Sequence, residues 1–229
     1  MAQSQEEIKH NAESLNQFKM DWYSLKGKVA IITGGNTGLG QGYAVAMAEA
    51  GADVFIPTFG QEGWDTTREL VEARGRKVEF MDVDLTEKGI AINLSAVYHL
   101  SLAASKEFAK QKSGKIINIG SMLSFQGGKF IPSYTAAKHG VAGLTKAFAS
   151  EMAAYNVQVN AIAPGYIKTA NTAPIRADKS RNDEILGRIA AGHWGEPYEL
   201  MGISVYLASN AANYINGAII PVDGGYLVR

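Results

Sequence analysis

Short apolar runs alternate with longer segments of helical character along most of the chain. The runs are rich in Val and Ile and end at Gly, Pro or Asp, which is typical of strands buried in a parallel sheet. They occupy residues 29–33, 53–57, 77–82, 115–119, 157–163 and 218–222. Helical patterns occupy residues 43–50, 62–74, 90–110, 134–155 and 196–209. This alternation predicts an α/β fold with a doubly wound parallel sheet in a single domain, residues 25–229, after an N-terminal extension, residues 1–24.

Composition narrows the classes of function. The 229 residues hold 22 Lys and Arg and 22 Asp and Glu, so the net charge is zero, which argues against a nucleic-acid or anionic-membrane partner. The absence of cysteine removes disulfides and thiolate metal sites, and we expect no metal. No apolar run is long enough to span a bilayer, and residues 1–19 lack the apolar core of a signal peptide. We therefore expect a cytoplasmic protein.

A glycine-rich turn joins the first strand to the first helix. Its residues are Gly34, Gly35, Asn36, Thr37, Gly38, Leu39 and Gly40. Glycines let the backbone turn tightly and approach a pyrophosphate, while the helix N-terminus offers free N–H groups and the positive end of a dipole. The alternative is an ordinary tight turn between strand and helix. The complete strand–turn–helix context favours a nucleotide-binding turn, with Gly34 and Asn36 to Gly40 as its contacts.

The ends of the next two strands carry residues that could contact the adenosine part of a cofactor. Thr58 begins the segment where an adenosine ribose is usually met, and residues 58–60 contain neither an acid nor an arginine. Because Thr37 is not basic either, the pattern mildly favours NAD over NADP. Asp84 and Leu85 follow the third strand and could meet the adenine edge. Asp84 could equally cap the next helix through Glu87.

Tyr134 and Lys138 lie four residues apart in a predicted helix, so their side chains leave the same face. A nearby ammonium stabilises a phenolate and lowers the pKa of the phenol. Such a pair can exchange a proton with a carbonyl or alcohol oxygen near neutral pH. The spacing alone is common, and a surface lysine beside a half-buried tyrosine is the alternative.

Taken together, the motifs resemble the short-chain dehydrogenase/reductase family. They are Thr33-Gly34, Gly38-Leu39-Gly40, Asn93, Ser121, Tyr134 with Lys138, Pro164-Gly165 and Asp223-Gly224-Gly225. Their order fits the family, as does the spacing of Ser121 thirteen residues before Tyr134. The resemblance implies a Rossmann-like fold and an NAD-dependent oxidoreductase that acts on CH–OH groups. It also implies a homotetramer assembled through the helices at Ile90 and Tyr134.

The resemblance also assigns roles. Tyr134 would protonate the substrate oxygen, Lys138 would lower the pKa of Tyr134 and hold the ribose hydroxyls, and Ser121 would orient the same oxygen. Asn93 would support a water that relays protons. The nicotinamide carboxamide would be flanked by Pro164, Gly165, Ile167 and Thr169.

Further stretches are similar to family members that act on keto-sugar acids: residues 120–128, 163–167, 176–178, 193–195 and 223–229. This similarity implies NAD(H)-linked interconversion of 2,5-diketo-3-deoxygluconate and 2-keto-3-deoxygluconate. A sugar acid needs a cation for its carboxylate, and Arg176 and Gln126 are candidates beside Ser121 and Tyr134, with His193 behind them. A solvated Arg176 is the alternative. Reductases of the gluconate or 3-oxoacyl-carrier-protein type and a non-catalytic nucleotide-binding relative also stay open.

One departure from the family pattern is large. Between the third strand and the helix of Asn93 the family carries a further helix and an Asn-Asn-Ala-Gly strand, whereas here Asn93 follows Asp84 after nine positions. A crossover needs at least ~10–12 residues in addition to the strand. The pattern therefore predicts that roughly forty residues, the size of one strand–helix unit, are missing near Gly89 and Ile90. Their loss would leave the N–H and C=O groups of neighbouring strands unpaired.

Overall fold

The fold consists of six parallel strands and seven α-helices in a computed structural model that describes residues 19–83 and 90–228. The strands are β1 (Val29–Ile31), β2 (Asp53–Thr58), β3 (Val78–Asp82), β4 (Gly114–Ile119), β5 (Val157–Pro164) and β6 (Ile219–Val222). The helices are α1 (Gly38–Glu49), α2 (Trp64–Glu72), α3 (Ala96–Gln111), α4 (Pro132–Met152), α5 (Ala173–Ala177), α6 (Lys179–Arg188) and α7 (Met201–Ala208). This alternation confirms the predicted α/β, Rossmann-like fold.

Two predicted helices are irregular at their N-terminal ends. The segment predicted from Ile90 begins with a π-helical turn over Ala91–Ser95 before α3. The segment predicted from Glu196 begins with a 3₁₀ turn over Pro197–Leu200 before α7. Pro197 lacks a backbone N–H and is suited to the first turn of a helix, where that group has no partner within the helix.

The parallel sheet is divided into two parts. Strands β1, β2 and β3 form one three-stranded sheet, and β4, β5 and β6 form another. Within the described ranges no ladder joins β1 to β4, although each forms one edge of its sheet. The break lies where the sequence predicts a missing strand.

One hydrophobic core nevertheless spans both sheets. Tyr43 of α1 and Leu200 and Leu207 beside and within α7 form a buried cluster. Ile32, just after β1, and Ile117 of β4 pack against that same cluster. Helices α1 and α7 therefore hold the two sheets together as a single domain. None of the helices in the described parts of the chain combines the length and apolar character needed to cross a membrane.

The second sheet is also covered on its other face. Phe148 and Met152 of α4 pack against Val157 and Val159 of β5, with Ile116 of β4 in the same cluster. All eight residues of β5 are buried. This packing fixes the carboxyl ends of β4 and β5, which is the edge where α/β proteins bind ligands.

Candidate active site

A pocket of about 160 Å³ opens at the carboxyl ends of β4 and β5. Its walls bring together residues that the sequence assigned separately to catalysis and to cofactor binding. They are Leu39, Ser121, Tyr134, Lys138, Pro164, Gly165, Ile167 and Thr169. The remaining lining residues include Ile119 and Gly120, at the end of β4, and Thr172.

Local hydrogen bonds fix Ser121 just beyond the carboxyl end of β4. Ser121 caps a 3₁₀ turn over Met122–Ser124, where its Oγ accepts from the N–H of Leu123 at 3.2 Å. In return the Oγ of Ser124 accepts from the N–H of Ser121 at 3.2 Å. Ser124 Oγ also donates to the carbonyl of Lys138 at 2.8 Å, which ties this turn to α4. Sequence reasoning missed Ser124, although its place three residues after Ser121 is the spacing of a capping box.

Tyr134 and Lys138 face the same side of α4, with the Lys138 ammonium 5.5 Å from the centre of the Tyr134 ring. Burial raises the pKa of Tyr134, and a hydrogen bond with Ser121 partly opposes that rise. Burial lowers the pKa of Lys138 to about 8. Its Nζ donates to the carbonyl oxygen of Ile119 at 2.8 Å.

The structure differs from the expectation that Lys138 lowers the pKa of Tyr134. The net direction is upward, and its opposing contribution comes from Ser121. The physical reason is that the phenol is desolvated, while the Lys138 ammonium is held by the Ile119 carbonyl. A raised pKa keeps Tyr134 protonated, which suits a proton donor.

Asn93 lies half-buried in the π-helical turn that precedes α3. This turn packs closely on α4, because a Cβ added at Gly140 would clash with the side chain of Leu94. Single π-helical turns often occur at functional sites. The water relay through Asn93 stays a prediction.

A buried polar network lies behind the pocket. Asn118 of β4 donates through Nδ2 to Thr145 Oγ1 of α4 at 3.0 Å, and its Oδ1 accepts from Ser101 of α3 at 3.3 Å. These bonds link β4 to α4, which carries Tyr134, and to α3, which follows the turn of Asn93. The signal in the sequence was an asparagine inside an otherwise aliphatic strand.

The glycine turn is suited to hold a pyrophosphate. Gly34 and Gly38 have φ of +62° and +54°, and a Cβ at Gly40 would clash with the carbonyl oxygen of Gly34. Thr37, the residue before α1, makes no side-chain capping bond, so the first N–H groups of the helix have no side-chain acceptor from it. An anion that approaches this turn meets backbone N–H groups and the positive end of the α1 dipole.

Asn36 and Thr58 hold the turn against β2. Thr58 Oγ1 donates to Asn36 Oδ1 at 2.7 Å, and Asn36 Nδ2 donates to the carbonyl of Glu62 at 2.9 Å. Both side chains are buried. Their polar groups therefore position the turn, and direct contact with a cofactor stays a prediction for both residues.

Asp82 is a further candidate residue of the cofactor site, and sequence reasoning missed it. Its Oδ1 accepts from the N–H of Gly60 at 3.0 Å, which places a carboxylate beside the end of β2. The signal in the sequence was an acidic residue at the end of the strand predicted over residues 77–82, and the structure pairs Asp82 with Thr58 at the end of β2. Asp84 and Leu85, the predicted adenine contacts, lie outside the described residues.

The arginines near the pocket differ in their partners. Arg176 donates through Nη2 to the carbonyl of Thr169 at 3.1 Å, and its buried Nε has no hydrogen-bond partner within the described chain. Arg188 lies 4.1 Å over the Tyr226 ring and donates to Gln126 Oε1 at 3.3 Å. The predicted substrate residue Gln126 thus contacts Arg188, which sequence reasoning left in a polar stretch.

His193 has a carboxylate partner. It is exposed, and its Nε2 is 3.4 Å from Glu199 Oε1. A place for His193 behind Arg176 and Gln126 stays a prediction.

Comparisons with known proteins decide the family. A family profile described as enoyl-(acyl carrier protein) reductase matches residues 84–227, and one described as short chain dehydrogenase matches residues 28–89. The chain is 44% identical to a 2-dehydro-3-deoxy-D-gluconate 5-dehydrogenase of Bacillus subtilis, with 91% of this chain and 98% of that protein covered. The chain belongs to the short-chain dehydrogenase/reductase family.

Solved structures resemble this short-chain dehydrogenase over nearly all of their length. A putative 2-deoxy-d-gluconate 3-dehydrogenase of Agrobacterium tumefaciens with bound NADP is 41% identical, with a TM-score of 0.87 and 92% of this chain and 100% of that chain covered. A gluconate 5-dehydrogenase of Burkholderia cenocepacia in complex with NADP and tartrate is 28% identical, with a TM-score of 0.85 and coverage of 91% and 98%.

The sequence comparison also supports the predicted gap. The match to the Bacillus protein extends over 250 residues, whereas 91% of the 229 residues in this short-chain dehydrogenase is only about 208. About 42 positions are therefore present in the relative alone. The two family profiles meet at residues 84–89, between β3 and the π-helical turn.

Proposed function

We propose that this protein is an oxidoreductase that interconverts a keto-sugar acid and its hydroxy form with a nicotinamide dinucleotide. The proposed pair is 2,5-diketo-3-deoxygluconate and 2-keto-3-deoxygluconate. The observation that carries the proposal is the convergence of Ser121, Tyr134 and Lys138 in one pocket with Leu39 of the glycine turn. The names of the Bacillus and Agrobacterium relatives support the sugar-acid class.

Proton transfer follows from the geometry of the pocket. The nicotinamide supplies the hydride in the reductive direction when it is bound. Ser121 and Tyr134, which both line the pocket, present two hydroxyl groups to the substrate carbonyl oxygen. Because burial keeps Tyr134 protonated, its proton passes to that oxygen as the oxygen gains negative charge.

Lys138 acts on the product of that step. Once the proton has left, the Tyr134 phenolate lies on the same face as the Lys138 ammonium. The electrostatic attraction between them stabilises the phenolate until it is protonated again. The oxidative direction uses the same groups in reverse.

We propose NAD(H) as the preferred cofactor. The Asp82 carboxylate accepts a hydrogen bond from the N–H of Gly60, beside the end of β2. A negative charge at this place repels a 2′-phosphate. The alternative is NADP, which both structural neighbours described above contain. Rates with NADH and NADPH decide between them: we expect kcat/KM to be at least tenfold higher with NADH, and higher values with NADPH would reverse the assignment.

The substrate carboxylate would pair with Arg176. Its guanidinium reaches the carbonyl of Thr169, a residue of the pocket wall, and its buried Nε has no hydrogen-bond partner among the residues that the structure describes. Gln126 and its partner Arg188 would contact the hydroxyl groups farther along the substrate. A charged, planar donor is the group that best recognises a carboxylate.

A substrate panel tests the proposed reaction. Oxidation of NADH is followed with 2,5-diketo-3-deoxygluconate, 5-ketogluconate and a 3-oxoacyl thioester, each at saturating dinucleotide. We expect the highest kcat/KM with the diketo-deoxygluconate. A higher value with 5-ketogluconate or the thioester would move the protein to another specificity within the family, and no turnover of any ketone would indicate a non-catalytic relative.

We also propose a cytoplasmic homotetramer that uses no metal and binds neither nucleic acid nor membrane. Apolar side chains on and before α3 support assembly, because Ile92, Tyr98 and Leu100 are exposed in the single chain. Within the described ranges no cluster of three or more His, Asp or Glu side chains is arranged to hold a metal ion. Sedimentation equilibrium at several concentrations tests the tetramer, and a monomeric mass would contradict it.

A further inference from the structure

Ser124 lies between two parts of the candidate site and bonds to both of them. Its Oγ accepts from the N–H of Ser121 at 3.2 Å and donates to the carbonyl of Lys138 at 2.8 Å. A hydroxyl has one hydrogen to donate and two lone pairs to accept with, so both bonds can form at once. The side chain therefore joins the turn after β4 to α4, the helix that carries Tyr134 and Lys138.

The surroundings of Ser124 hold its hydroxyl in place. The residue is 8% exposed, and a Cβ added at Gly120 would lie only 3.0 Å from Ser124 Oγ, so little free space remains on that side. The N–H of Ser124 also donates to the carbonyl of Ser121 at 2.8 Å. Removal of the hydroxyl would take away the acceptor of the Ser121 N–H in a place where water has little access.

The Ser121 hydroxyl depends on this turn for its direction. Its Oγ accepts from the N–H of Leu123 at 3.2 Å, which leaves its own hydrogen to be donated into the pocket. Ser121 and Tyr134 both line that pocket, but residues 125–131 between the turn and α4 lie in neither helix nor strand. A direct bond from the turn to α4 is therefore needed to fix one hydroxyl relative to the other.

A second bond connects α4 to the end of β4. Lys138 Nζ donates to the carbonyl of Ile119 at 2.8 Å. This bond uses the ammonium itself, so it is lost whenever that group turns toward a partner in the pocket. Ser124 instead uses only backbone groups of Ser121 and Lys138, and its bonds can persist while both side chains act.

We propose that Ser124 is a positioning residue that keeps the Ser121 hydroxyl aligned with Tyr134. Ser124 is not among the described residues that line the pocket, so it acts through Ser121 and touches no substrate. Its effect on catalysis rests on the proposed function, whereas its effect on Tyr134 itself does not.

The Tyr134 phenol reports this alignment. Burial raises the pKa of Tyr134, and the Ser121 hydroxyl opposes that rise. When Ser124→Ala lets Ser121 turn away, the opposing effect is lost and the pKa of Tyr134 rises further. Lys138, the charged group on the same face of α4, is unchanged by the substitution.

NMR of the chain with tyrosine labelled by ¹³C at Cζ measures this change without substrate. The signal that disappears in Tyr134→Phe belongs to Tyr134. In Ser124→Ala its titration midpoint should move to higher pH by about 0.5 unit or more. The Ser121 amide, which loses its acceptor, should exchange its hydrogen about tenfold faster or more.

Ser209→Ala is the matched control. Ser209 is also buried, and its Oγ accepts from the N–H of Ala211 at 3.3 Å and donates to the carbonyl of Tyr206 at 2.8 Å. The substitution removes the same two kinds of bond at a place that does not line the pocket as described. It should leave the Tyr134 signal and the Ser121 amide unchanged.

Kinetics test the catalytic consequence. In Ser124→Ala the kcat for ketone reduction should fall about tenfold while the Kd of NADH stays within about twofold, because alignment acts on the transition state. Ser121→Ala removes the hydroxyl that is to be aligned, so Ser124→Ala in that background should lower kcat by less than about twofold more. Ser209→Ala should keep the kcat of the parent chain.

Two results would overturn the proposal: an unchanged Tyr134 signal in Ser124→Ala, and equal kcat losses from Ser124→Ala in the parent chain and in the Ser121→Ala background. A shifted signal in a chain that reduces no ketone would support the role of Ser124 and contradict the proposed function. If Ser124→Ala does not fold, Ser124→Cys carries the same measurements. Smaller changes in the same direction are then expected, because a thiol is a weak donor and acceptor, and no change at all would overturn the proposal.

Discussion

Strands β1 and β5 have opposite surroundings. Both are rich in aliphatic residues and parallel to their neighbours, although β1 has three residues and β5 has eight. Every residue of β5 is buried between β4, β6 and the helices, whereas Val29 and Ile31 of β1 are 68% exposed. The contrast shows that local sequence is sufficient to form a strand here, while its burial depends on segments distant in the chain.

The two sheets also divide the candidate site. The second sheet and α4 carry Ser121, Tyr134 and Lys138, whereas the first sheet carries the glycine turn. Because the packing around β5 is complete, we expect the proton-transfer groups to be correctly placed in this chain. Because β1 pairs only with β2 within the described residues, we expect the dinucleotide side to limit the rate.

The largest expected effect tests whether the second sheet and α4 carry the proton-transfer chemistry. Tyr134→Phe removes the proton donor and keeps the ring, so kcat for ketone reduction should fall about 10³-fold. The Kd of NADH, measured by fluorescence, should change less than threefold. Tyr155→Phe, at an exposed tyrosine just after α4, is the control and should keep full activity. Unchanged turnover in Tyr134→Phe would contradict the mechanism.

The next effect tests the electrostatics of that same region. Burial lowers the pKa of Lys138 to about 8, so between pH 8 and its unfolded value the unfolded chain binds more protons than the folded chain. Stability from this group therefore rises with pH across that window and is lowest below pH 8. Lys138→Met removes the buried charge, and at pH 7 it should stabilise the fold by up to about 3 kcal/mol.

Chemical denaturation at several pH values measures this difference. The advantage of Lys138→Met should shrink as the pH rises from 8 to 10, and comparison with the parent chain cancels other groups. Lys146→Met, on the exposed side of α4, should change the free energy of unfolding by less than about 0.5 kcal/mol. A difference that does not vary with pH would contradict the burial of a charged ammonium.

The sequence predicted those features that depend on neighbouring residues. The bounds of β5, the glycine turn and the shared face of Tyr134 and Lys138 all follow from local periodicity or spacing. It missed partnerships between residues far apart, such as Asn36 with Thr58 and Arg188 with Gln126, which are 22 and 62 residues apart. The direction of the Tyr134 pKa was missed because desolvation depends on the whole pocket.

A smaller effect measures the contrast between the strands directly. Val159→Ala in β5 should lower the free energy of unfolding by about 2–3 kcal/mol, since it removes fully buried methyl groups. Val29→Ala in β1 removes the same atoms from an exposed site and should cost less than about 0.5 kcal/mol. Denaturant unfolding of both variants measures the two values. Equal losses would mean that β1 is covered in solution.

The smallest expected effect is on the KM of two arginine variants. Arg176 and Arg188 are the two candidates for the partner of the substrate carboxylate. Arg176→Ala should raise the KM for a keto-sugar acid about tenfold and leave kcat within threefold, because it removes binding that is equal in ground and transition states. Arg188→Ala should have a smaller effect on KM, since that guanidinium is engaged by Gln126 and Tyr226.

An uncharged ketone separates carboxylate recognition from a general disturbance of the pocket. With a neutral ketone that has no hydroxyl groups, both variants should match the parent chain, because neither arginine then has a carboxylate or hydroxyl group to bind. A larger KM effect in Arg188→Ala, confined to the acid substrate, would transfer the role to Arg188. The carboxylate would then lie on the Gln126 side of the pocket, and the substrate orientation proposed above would be reversed.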